Sequence, residues 1–255
     1  MNLKEKILHG WDISAEGFSD LIMDELVPER KLPWLDTILE NAPTKDDLKV
    51  LDVGCGPGFF SIILSEAGFD VTGIDLSSKM IKEAEKNADA METDPCFKVM
   101  DTQDPDFDDN TFDLIVSRNV VWSLSEPDNA YKNWYRILAP GGKVLVFDGD
   151  HLKDLRDPTG KMKYQHYSYS EEYKKLYGKE PKCSFSMDNY EEARGWRKEL
   201  PLAGEKRPEW DMEICRKAGY KNVNVQWVTD KVFSDEKDIY LHRNNPYFLV
   251  TAEKV

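Results

Sequence analysis

A glycine-rich loop at residues 54–58 constrains the fold of this 255-residue chain more than any other feature. The apolar run 49–53 before it predicts a buried strand, and the apolar spacing after it predicts a helix over 57–67. Glycine lets the backbone turn sharply and lets a ligand lie against bare peptide. The free N–H groups and the positive end of the following helix favour a polar or anionic ligand group. The segment therefore predicts a strand, a ligand-binding turn and a helix.

The spacing of the glycines distinguishes two classes of cofactor. The loop reads G-x-G-x-G, whereas the dinucleotide fingerprint G-x-G-x-x-G requires glycine at the position of Phe59. Asp52 precedes the loop, and Asp75 ends the next predicted strand, 71–75. An ionised carboxylate accepts through two oxygens, so Asp75 can hold both hydroxyls of a ribose. The pattern therefore opposes a nicotinamide-dependent oxidoreductase.

Asp52, the D-x-G-C-G-x-G loop and Asp75 together resemble the class I S-adenosylmethionine-dependent methyltransferases, particularly those that act on small molecules. The resemblance covers residues 45–150 well and the end of the chain more loosely. It implies S-adenosyl-L-methionine as cofactor and S-adenosyl-L-homocysteine as product. The loop would meet the methionine end, Asp75 the ribose, and Asp101 with Thr102 the adenine. The full set of cofactor contacts that we expect is Asp52, Gly54, Cys55, Gly56, Gly58, Asp75, Leu76, Asp101, Thr102 and Asn119.

Strands and helices alternate along the core of the chain, which indicates a parallel sheet with helices on both faces. Two last strands with no obvious helix between them predict an antiparallel hairpin, which the resembled family also has. The predicted fold class is therefore α/β, a Rossmann-like seven-stranded mostly parallel sheet with helices on both faces and an antiparallel C-terminal edge hairpin. The elements after the loop are expected at 71–75, 78–91, 96–100, 112–117, 128–138, 143–147, 209–218, 222–228 and 247–253.

We expect one methyltransferase domain in four parts. They are an N-terminal helical cover (1–47), a cofactor-binding core (48–150), a cap or insertion (151–207), and a C-terminal helix and strands (208–255). Pro28 and Pro33 are expected to break the helical run of the cover, so that a helix resumes near Trp34. Such leading helices often cross the cofactor mouth in the resembled family, which would bring Trp11 and Phe18 to cofactor or substrate. Packing of these rings onto the sheet is the alternative.

Polar residues that follow the fourth and fifth predicted strands are the candidates for catalysis, because ligands of open α/β sheets bind outside the carboxyl ends of strands. Asn119 can orient a substrate, or it can fix a turn. Trp122 is read as core in preference to a substrate wall. Asp150 and His151 can bind a cationic substrate or take a proton, and a polar strand end is the alternative. No metal is expected, because the four histidines are dispersed along the sequence.

Residues 152–207 resemble the family least. The aromatic run 164–169, followed by Tyr173 and Tyr177, is too long for a simple connection and predicts helices of its own. Our hypothesis is that this cap covers the active site with tyrosine rings and hydroxyls. A solvent-facing appendage or a contact within a homodimer is the alternative.

Charge and cysteine usage limit the partners and the compartment. A net charge of −14 and a pI near 4.8 oppose binding to phosphate backbones, so nucleic acid is not expected as substrate. The four cysteines lack C-x-x-C spacing, which favours a reducing cytoplasm over a disulfide framework. The start of the sequence does not read as a signal peptide, and no apolar run reaches the roughly 20 residues of a membrane span. We expect a cytoplasmic protein.

The sequence therefore predicts an enzyme that transfers a methyl group from S-adenosylmethionine to a small-molecule acceptor by in-line displacement. The leaving group is already good, so alignment and exclusion of water are the main tasks, and a base is needed only if the nucleophile carries a proton. Two alternatives stay open. One is a sensor that binds S-adenosylmethionine without turnover, and the other is a protein or RNA methyltransferase, which should show an exposed groove.

Overall fold

The computed structural model describes residues 1–159, 174–176, 178 and 190–255, so the predicted aromatic cap at 164–177 lies almost entirely outside the described residues. Seven strands form one sheet: β1 Lys49–Val53, β2 Asp70–Asp75, β3 Cys96–Val99, β4 Phe112–Arg118, β5 Leu138–Asp148, β6 Lys221–Trp227 and β7 Phe248–Glu253. The described helices are α1 Leu3–Asp12, α2 Ala15–Glu25, α3 Pro28–Asn41, α4 Phe59–Glu66, α5 Ser78–Ala90, α6 Pro127–Ile137, α7 Tyr190–Arg194, α8 Glu209–Ala218, α9 Thr229–Val232 and α10 Glu236–His242.

The sheet has the predicted seven-stranded, mostly parallel topology. Its order is β3-β2-β1-β4-β5-β7-β6, with parallel pairing from β3 to β5. Strand β7 runs antiparallel to both β5 and β6 and so forms the expected antiparallel edge. The order reverses at β1, where the chain moves from the β2 side of the sheet to the β4 side. Such a switch point leaves a crevice outside the strand ends, where ligands of this architecture bind.

Alternate residues of the central strands pack against helices on opposite faces, as the period of two in a strand requires. On one face, Leu51 and Val146 join a core that contains residues of α6 and α8. On the other, Val50 and Phe147 join a core built with α3 and α4. Because both faces are covered, apolar residues follow one another in the middle of the central strands, as in Leu114–Val116 and Val144–Phe147.

The helix after the glycine loop begins at Phe59, two residues later than predicted. Gly58 lies at the N-cap position with a φ of 94°, in the left-handed region. Proline at residue 57 therefore belongs to the turn, and the helix can start only after Gly58. The remaining predicted strands and helices of the core and C-terminal part agree with the structure to within two residues, except that β5 begins earlier, at Leu138.

Proline 33 does not end a helix, contrary to the prediction, because α3 runs through it from Pro28 to Asn41. A proline inside a helix leaves the carbonyl four residues earlier without its amide donor. That carbonyl belongs to Glu29, and it accepts a hydrogen bond from Ser234 Oγ at 2.7 Å. A residue distant in sequence thus replaces the missing donor, which is why local sequence reasoning failed here.

We expect Ser234→Ala to lower the free energy of unfolding by about 1 kcal/mol, since it leaves the Glu29 carbonyl without this donor. Pro33→Ala restores an amide that can bond to the same carbonyl. In that background, the loss on Ser234→Ala should fall to about half or less. Urea unfolding of the four proteins measures both values. Equal losses in the two backgrounds would contradict this explanation of how the helix tolerates Pro33.

The connection between the last two strands also differs from the prediction, because it contains the short helices α9 and α10. Asp235 caps the second of these by accepting from the Lys237 amide at 2.8 Å. Helices of four and seven residues give too little periodicity to be recognised from the sequence. Among the described residues, none of the helices has the length and apolar character needed to cross a bilayer.

Candidate active site

A cavity of about 760 Å³ lies at the switch point of the sheet. The loops after β1, β2 and β4 form one side of it, and residues of α1, α2 and α10 form the other. The first two N-terminal helices therefore reach the cavity, as the sequence suggested. Trp11 and Phe18 both line it, and their rings also contact each other with centroids 5.5 Å apart. The two rings therefore pack together in the cavity wall, and their contact with cofactor or substrate stays a prediction.

The glycine loop adopts a conformation that side chains would oppose. The amides of Gly54 and Cys55 donate to Ile74 O at 2.8 and 3.0 Å, which ties the loop to β2. Gly54 has φ +68°, and a Cβ there would lie 2.4 Å from Val120 Cγ2. Gly56 has φ +51° and no atom within 4 Å of its Cβ position, so its backbone is open to the cavity. The loop thus offers bare peptide to a ligand at Gly56.

Gly58, predicted to contact the cofactor, does not line the cavity. A Cβ at this position would meet Ala84 Cβ and the Phe97 ring at 3.2 Å. Its contribution is therefore to the turn and to the close packing of α4 against α5 and β3. Cys55 does line the cavity, and its thiol is buried with a pKa well above the usual range because of that burial.

Asp52 lies at the base of the cavity and is almost completely buried. Its Oδ2 accepts from the Ser61 amide at 3.0 Å and from Ser61 Oγ at 2.7 Å. Burial raises the pKa of this carboxyl to about 7, although the two bonds from Ser61 lower it. These bonds hold one carboxylate oxygen against α4.

Asp75 joins the loops that follow β1 and β2. Its Oδ1 accepts from the Ser77 amide at 2.8 Å, and its Oδ2 accepts from the Gly56 amide at 3.0 Å. Burial raises the pKa of Asp75 to about 6, against the effect of these two bonds. Ser77 in turn donates its hydroxyl to Asp12 of α1 and caps α5 through Met80 N. Leu76 lines the cavity beside this carboxylate.

Asp101 and Thr102 lie at the same edge, after β3, and both line the cavity. Asp101 pairs with Lys4 of α1 and accepts from the Gln103 amide at 3.0 Å. Partial burial raises the pKa of Asp101, but the Lys4 and Gln103 bonds outweigh it and leave the pKa below its usual value. The Thr102 carbonyl accepts from Trp134 Nε1 at 2.7 Å.

Asn119 follows β4 directly and has a φ of 60°, in the left-handed region that asparagine tolerates better than most residues. Its amide donates to Phe147 O at 2.9 Å, and its carbonyl accepts from Trp122 Nε1 at 2.9 Å. Its side-chain Oδ1 lies 2.7 Å from Tyr247 Oη and 3.1 Å from His151 Nε2. Asn119 thus both fixes a turn and lines the cavity. Trp122 is buried as predicted, and it also lines the cavity.

The two residues proposed as bases differ in position. His151 lines the cavity, and its Nε2 also lies 3.2 Å from Asp148 Oδ1. Asp150 does not line the cavity, because its carboxylate turns away to pair with Arg156. The structure therefore brings His151 and Asn119 together but not Asp150.

Sequence reasoning missed a cluster of residues in the wall of the cavity, called the aromatic chamber below, which consists of Glu25, Phe59, Arg118, Phe233 and His242. The Arg118 guanidinium lies 4.6 Å from the centroid of Phe59 and donates to Glu25 Oε2 at 2.7 Å. Phe233 and His242 stack with ring centroids 4.2 Å apart. Burial lowers the pKa of His242 to about 4, so this ring is neutral at pH 7.

Members of the chamber come from helix α2, the first residue of helix α4, strand β4 and the connection before β7. Arg118 directly precedes Asn119 at a carboxyl strand end, and that position was a usable signal. Nothing local in the sequence marks Glu25 or His242. The described residues contain no group of three or more His, Cys, Asp or Glu side chains placed to hold a metal ion.

Comparisons with known proteins agree with this geometry. Residues 51–146 match the family model described as a methyltransferase domain. A phosphoethanolamine N-methyltransferase 3 from Arabidopsis thaliana is 40% identical over 105 residues, which are 41% of this chain and 21% of that protein. A malonyl-[acyl-carrier protein] O-methyltransferase from Erwinia billingiae is 38% identical over 116 residues, which are 45% of each protein. The chain thus aligns with less than half the length of either curated relative.

A solved structure is similar over nearly the whole chain. It is a putative S-adenosyl-L-methionine-dependent methyltransferase from Methanococcus maripaludis, with a TM-score of 0.60 and 22% identity over 94% of this chain and 92% of that one. At this identity the likeness concerns the fold. The family model covers the segment that carries the glycine loop, Asp75, Asp101 and Asn119. Residues 51–146 thus carry a methyltransferase domain, and the comparisons support a class I S-adenosylmethionine-dependent methyltransferase.

Proposed function

We propose that the chain is an enzyme that transfers a methyl group from S-adenosylmethionine to a small-molecule acceptor. The observation that carries this proposal is that one cavity is lined both by the carboxylates expected to hold the cofactor and by the aromatic chamber, and that Asn119 lines it too. A binding site for the cofactor alone would not need the aromatic chamber. The aromatic chamber is our candidate site for the acceptor.

The residues at the first part of the cavity fit the cofactor. The exposed backbone at Gly56 leaves room for a ligand where a side chain would intrude. The Asp75 carboxylate is the partner we propose for the two ribose hydroxyls, with Leu76 beside it. Asp101 and Thr102 are proposed at the adenine, and Asp52, Gly54 and Cys55 at the methionine end. Gly58 would act indirectly, by shaping the loop.

When bound, S-adenosylmethionine supplies a methyl group on a sulfonium, and its transfer leaves the thioether S-adenosylhomocysteine. The residues of the chain align and enclose this transfer rather than react themselves. The chamber rings exclude water from one side, and Trp11 and Phe18 cover another. Alignment of reactants and exclusion of water are the main contributions that a protein can make to such a displacement.

Several observations support a small acceptor. The cavity volume is within the range typical of small-molecule sites, and the cofactor would fill part of it. The net charge of −14 opposes a nucleic-acid substrate. One matched relative is named as an N-methyltransferase and the other as an O-methyltransferase, so the methylated atom has to be decided from this chain.

We also propose a cytoplasmic location. Cys55, Cys96 and Cys215 are free thiols in the structure, which suits a reducing compartment. For the predicted cap, a cover over the active site remains our proposal, and a solvent-facing appendage or a homodimer contact is the alternative. Analytical ultracentrifugation of the protein with and without residues 160–189 measures the oligomeric state and tests the homodimer contact.

Cofactor binding should weaken on acidification, since an ionised carboxylate accepts from both ribose hydroxyls more strongly than a neutral carboxyl does. Burial raises the pKa of Asp75 to about 6 and that of Asp52 to about 7. The favourable ionised forms are therefore present at pH 8 and are lost as the pH falls through these values. We expect the Kd for S-adenosylhomocysteine to rise by about tenfold or more between pH 8 and pH 5. Calorimetric titration at each pH measures this.

Asp75→Asn is the control for the pH experiment, because its side chain cannot titrate. Its affinity should be weaker at pH 8, and its pH dependence should be shallower than that of the wild type. A wild-type Kd that stays constant from pH 8 to pH 5 would contradict the role proposed for the carboxylates.

Turnover is tested by incubating the protein with S-adenosylmethionine and small amines, phenols and carboxylates, and measuring the S-adenosylhomocysteine formed. Acceptor-dependent product supports the proposal. Tight cofactor binding without turnover on any acceptor would favour the sensor alternative. Turnover only on protein or RNA would favour the other alternative.

A further inference from the structure

The orientation of the Asn119 carboxamide follows from the charges buried behind it. Arg207 donates to Asp148 Oδ2 at 2.6 Å, and Asp148 is fully buried. Burial raises the pKa of this carboxyl, but Arg207 and His151 outweigh burial and leave it below the usual value. Asp148 is therefore an ionised carboxylate, which can only accept hydrogen bonds.

The state of Asp148 fixes the proton on His151. Nε2 of His151 lies 3.2 Å from Asp148 Oδ1, so this nitrogen must carry a hydrogen. The other ring nitrogen, Nδ1, lies 3.4 Å from Asn245 Nδ2, a donor. Both ring nitrogens thus have protein partners that suit the Nε2–H tautomer. In this tautomer Nε2 carries a hydrogen and has no free lone pair. His151 therefore cannot accept a proton through the nitrogen that faces Asn119.

The protonated Nε2 in turn fixes Asn119. Nε2 carries one hydrogen, which Asp148 Oδ1 and the facing atom of Asn119 share at 3.2 and 3.1 Å. Because this nitrogen has no free lone pair, that atom of Asn119 must be an acceptor, and so it is the oxygen Oδ1. Tyr247 Oη, 2.7 Å from the same oxygen, donates the second bond. With Oδ1 held by two donors, the Nδ2 amino group has no hydrogen-bond partner within the described residues, and it is not sealed off from the cavity that Asn119 lines.

We propose that His151 and Tyr247 are positioning residues, which hold Asn119 so that its Nδ2 donates a hydrogen bond into the cavity to an oxygen atom of the methyl acceptor. The site then selects acceptors with an oxygen lone pair over protonated amines. The N–H groups of an ammonium would face the N–H group of Asn119, and two donors cannot form a hydrogen bond with each other. This inference rests on the proposed function, and it changes the role predicted for His151 from base to positioning group.

The test uses two probes of similar shape, benzyl alcohol and benzylamine, with the protein saturated by S-adenosylhomocysteine at pH 7.5. Binding is measured by ligand-observed NMR titration. We expect benzyl alcohol to bind about fivefold to tenfold more tightly than benzylamine, the effect of about one good hydrogen bond. Asn119→Asp replaces the donor by an acceptor and should reverse the preference.

Variants of the two positioning residues separate orientation from general structure. His151→Leu and Tyr247→Phe each remove a donor to Oδ1 and should reduce the preference to about twofold or less. His151→Gln keeps an N–H donor on a side chain of similar reach and should restore it. His9→Leu, at an exposed histidine paired with Glu192, is the matched control and should leave it unchanged.

Two results overturn the inference. One is that the wild type binds the two probes with equal affinity, or binds neither of them detectably. The other is a preference that survives His151→Leu and Tyr247→Phe together. Calorimetry with S-adenosylhomocysteine distinguishes a failure of this inference from a failure of the proposed function. If the cofactor product does not bind, the proposed function fails. If it binds but the probes are not distinguished, only the orientation of Asn119 is wrong.

The tautomer of His151 gives a second readout that needs no acceptor. In protein labelled with ¹⁵N-histidine, the resonances lost in His151→Gln identify this ring. We expect the proton on Nε2 at pH 8, with and without S-adenosylhomocysteine. A proton on Nδ1 would remove the argument for the orientation of Asn119.

Discussion

Replacing Arg207 by leucine should lower the free energy of unfolding by about 3–5 kcal/mol, the largest stability effect that we expect for a single substitution outside the apolar core. The guanidinium lies between two fully buried carboxylates. It donates to Asp148 at 2.6 Å and to both oxygens of Asp211 at 2.6 and 2.8 Å. Without it, two negative charges would remain buried and unpaired, which is why one substitution can remove a large part of the roughly 5–15 kcal/mol that stabilises a domain.

The effect of Arg207→Leu should depend on pH in a defined direction. In the wild type the pKa of Asp148 is lowered, so the pair contributes stability above the ordinary pKa of aspartate and loses it as the pH falls below that value. In the variant, burial without the guanidinium charge would raise the pKa of the same carboxyl, although the bond from His151 remains. Protonation would then relieve the variant in mildly acidic solution. The difference in unfolding free energy should therefore be larger at pH 8 than at pH 4.5.

Urea unfolding of the wild type, Arg207→Leu and Arg216→Leu measures this prediction. Arg216 lies on α8 with an exposed side chain, so its loss should change the free energy of unfolding by less than about 0.5 kcal/mol. Adding Asp148→Asn and Asp211→Asn to Arg207→Leu should recover part of the loss, because the buried charges are gone. Similar small losses for Arg207→Leu and Arg216→Leu would show that the buried pair contributes little.

Asp75→Ala should weaken S-adenosylhomocysteine binding by about 100-fold or more at pH 8. A hydrogen bond to a charged group contributes about 1.5–3 kcal/mol, and two ribose hydroxyls would lose their acceptor. The substitution also removes the acceptor for the Gly56 and Ser77 amides, which would loosen the loop on both sides of the cavity. Calorimetric titration measures the loss.

Asp70→Ala is the matched control, since Asp70 lies at the exposed, opposite end of the same strand. Its Kd should stay within about twofold of the wild-type value. Circular dichroism of both variants checks that the fold is kept. A loss of less than about fivefold for Asp75→Ala, with the fold intact, would show that the ribose is held elsewhere.

The sheet and the cofactor end of the site could be predicted because their signals are local. The strand before the loop, the glycines and Asp75 each stand at a fixed position relative to a strand end, and parallel strands bring those ends to one edge. The structure places Asp52, Gly56 and Asp75 at that edge as expected. Gly58 shows the limit of the pattern. The spacing of glycines alone does not distinguish a glycine that contacts a ligand from one that permits close packing.

The orienting network around Asn119 could not be predicted, because its members come from separate parts of the chain. His151 follows β5, whereas Tyr247 precedes β7. Strand β7 pairs antiparallel with β5, with Phe248 opposite Asp148, so its start lies at the edge where β5 ends. The network therefore exists only once the C-terminal strand has inserted next to β5. The helix through Pro33 has the same kind of cause, a donor from more than 200 residues away.

Titration of the wild-type protein with S-adenosylhomocysteine and with NAD⁺ at pH 8 tests the central claim most directly. The glycine spacing, the Asp75 carboxylate and the open backbone at Gly56 predict one-site binding of S-adenosylhomocysteine and no measurable binding of NAD⁺. Binding of NAD⁺ in preference to S-adenosylhomocysteine would contradict both the cofactor and the activity proposed for this cavity.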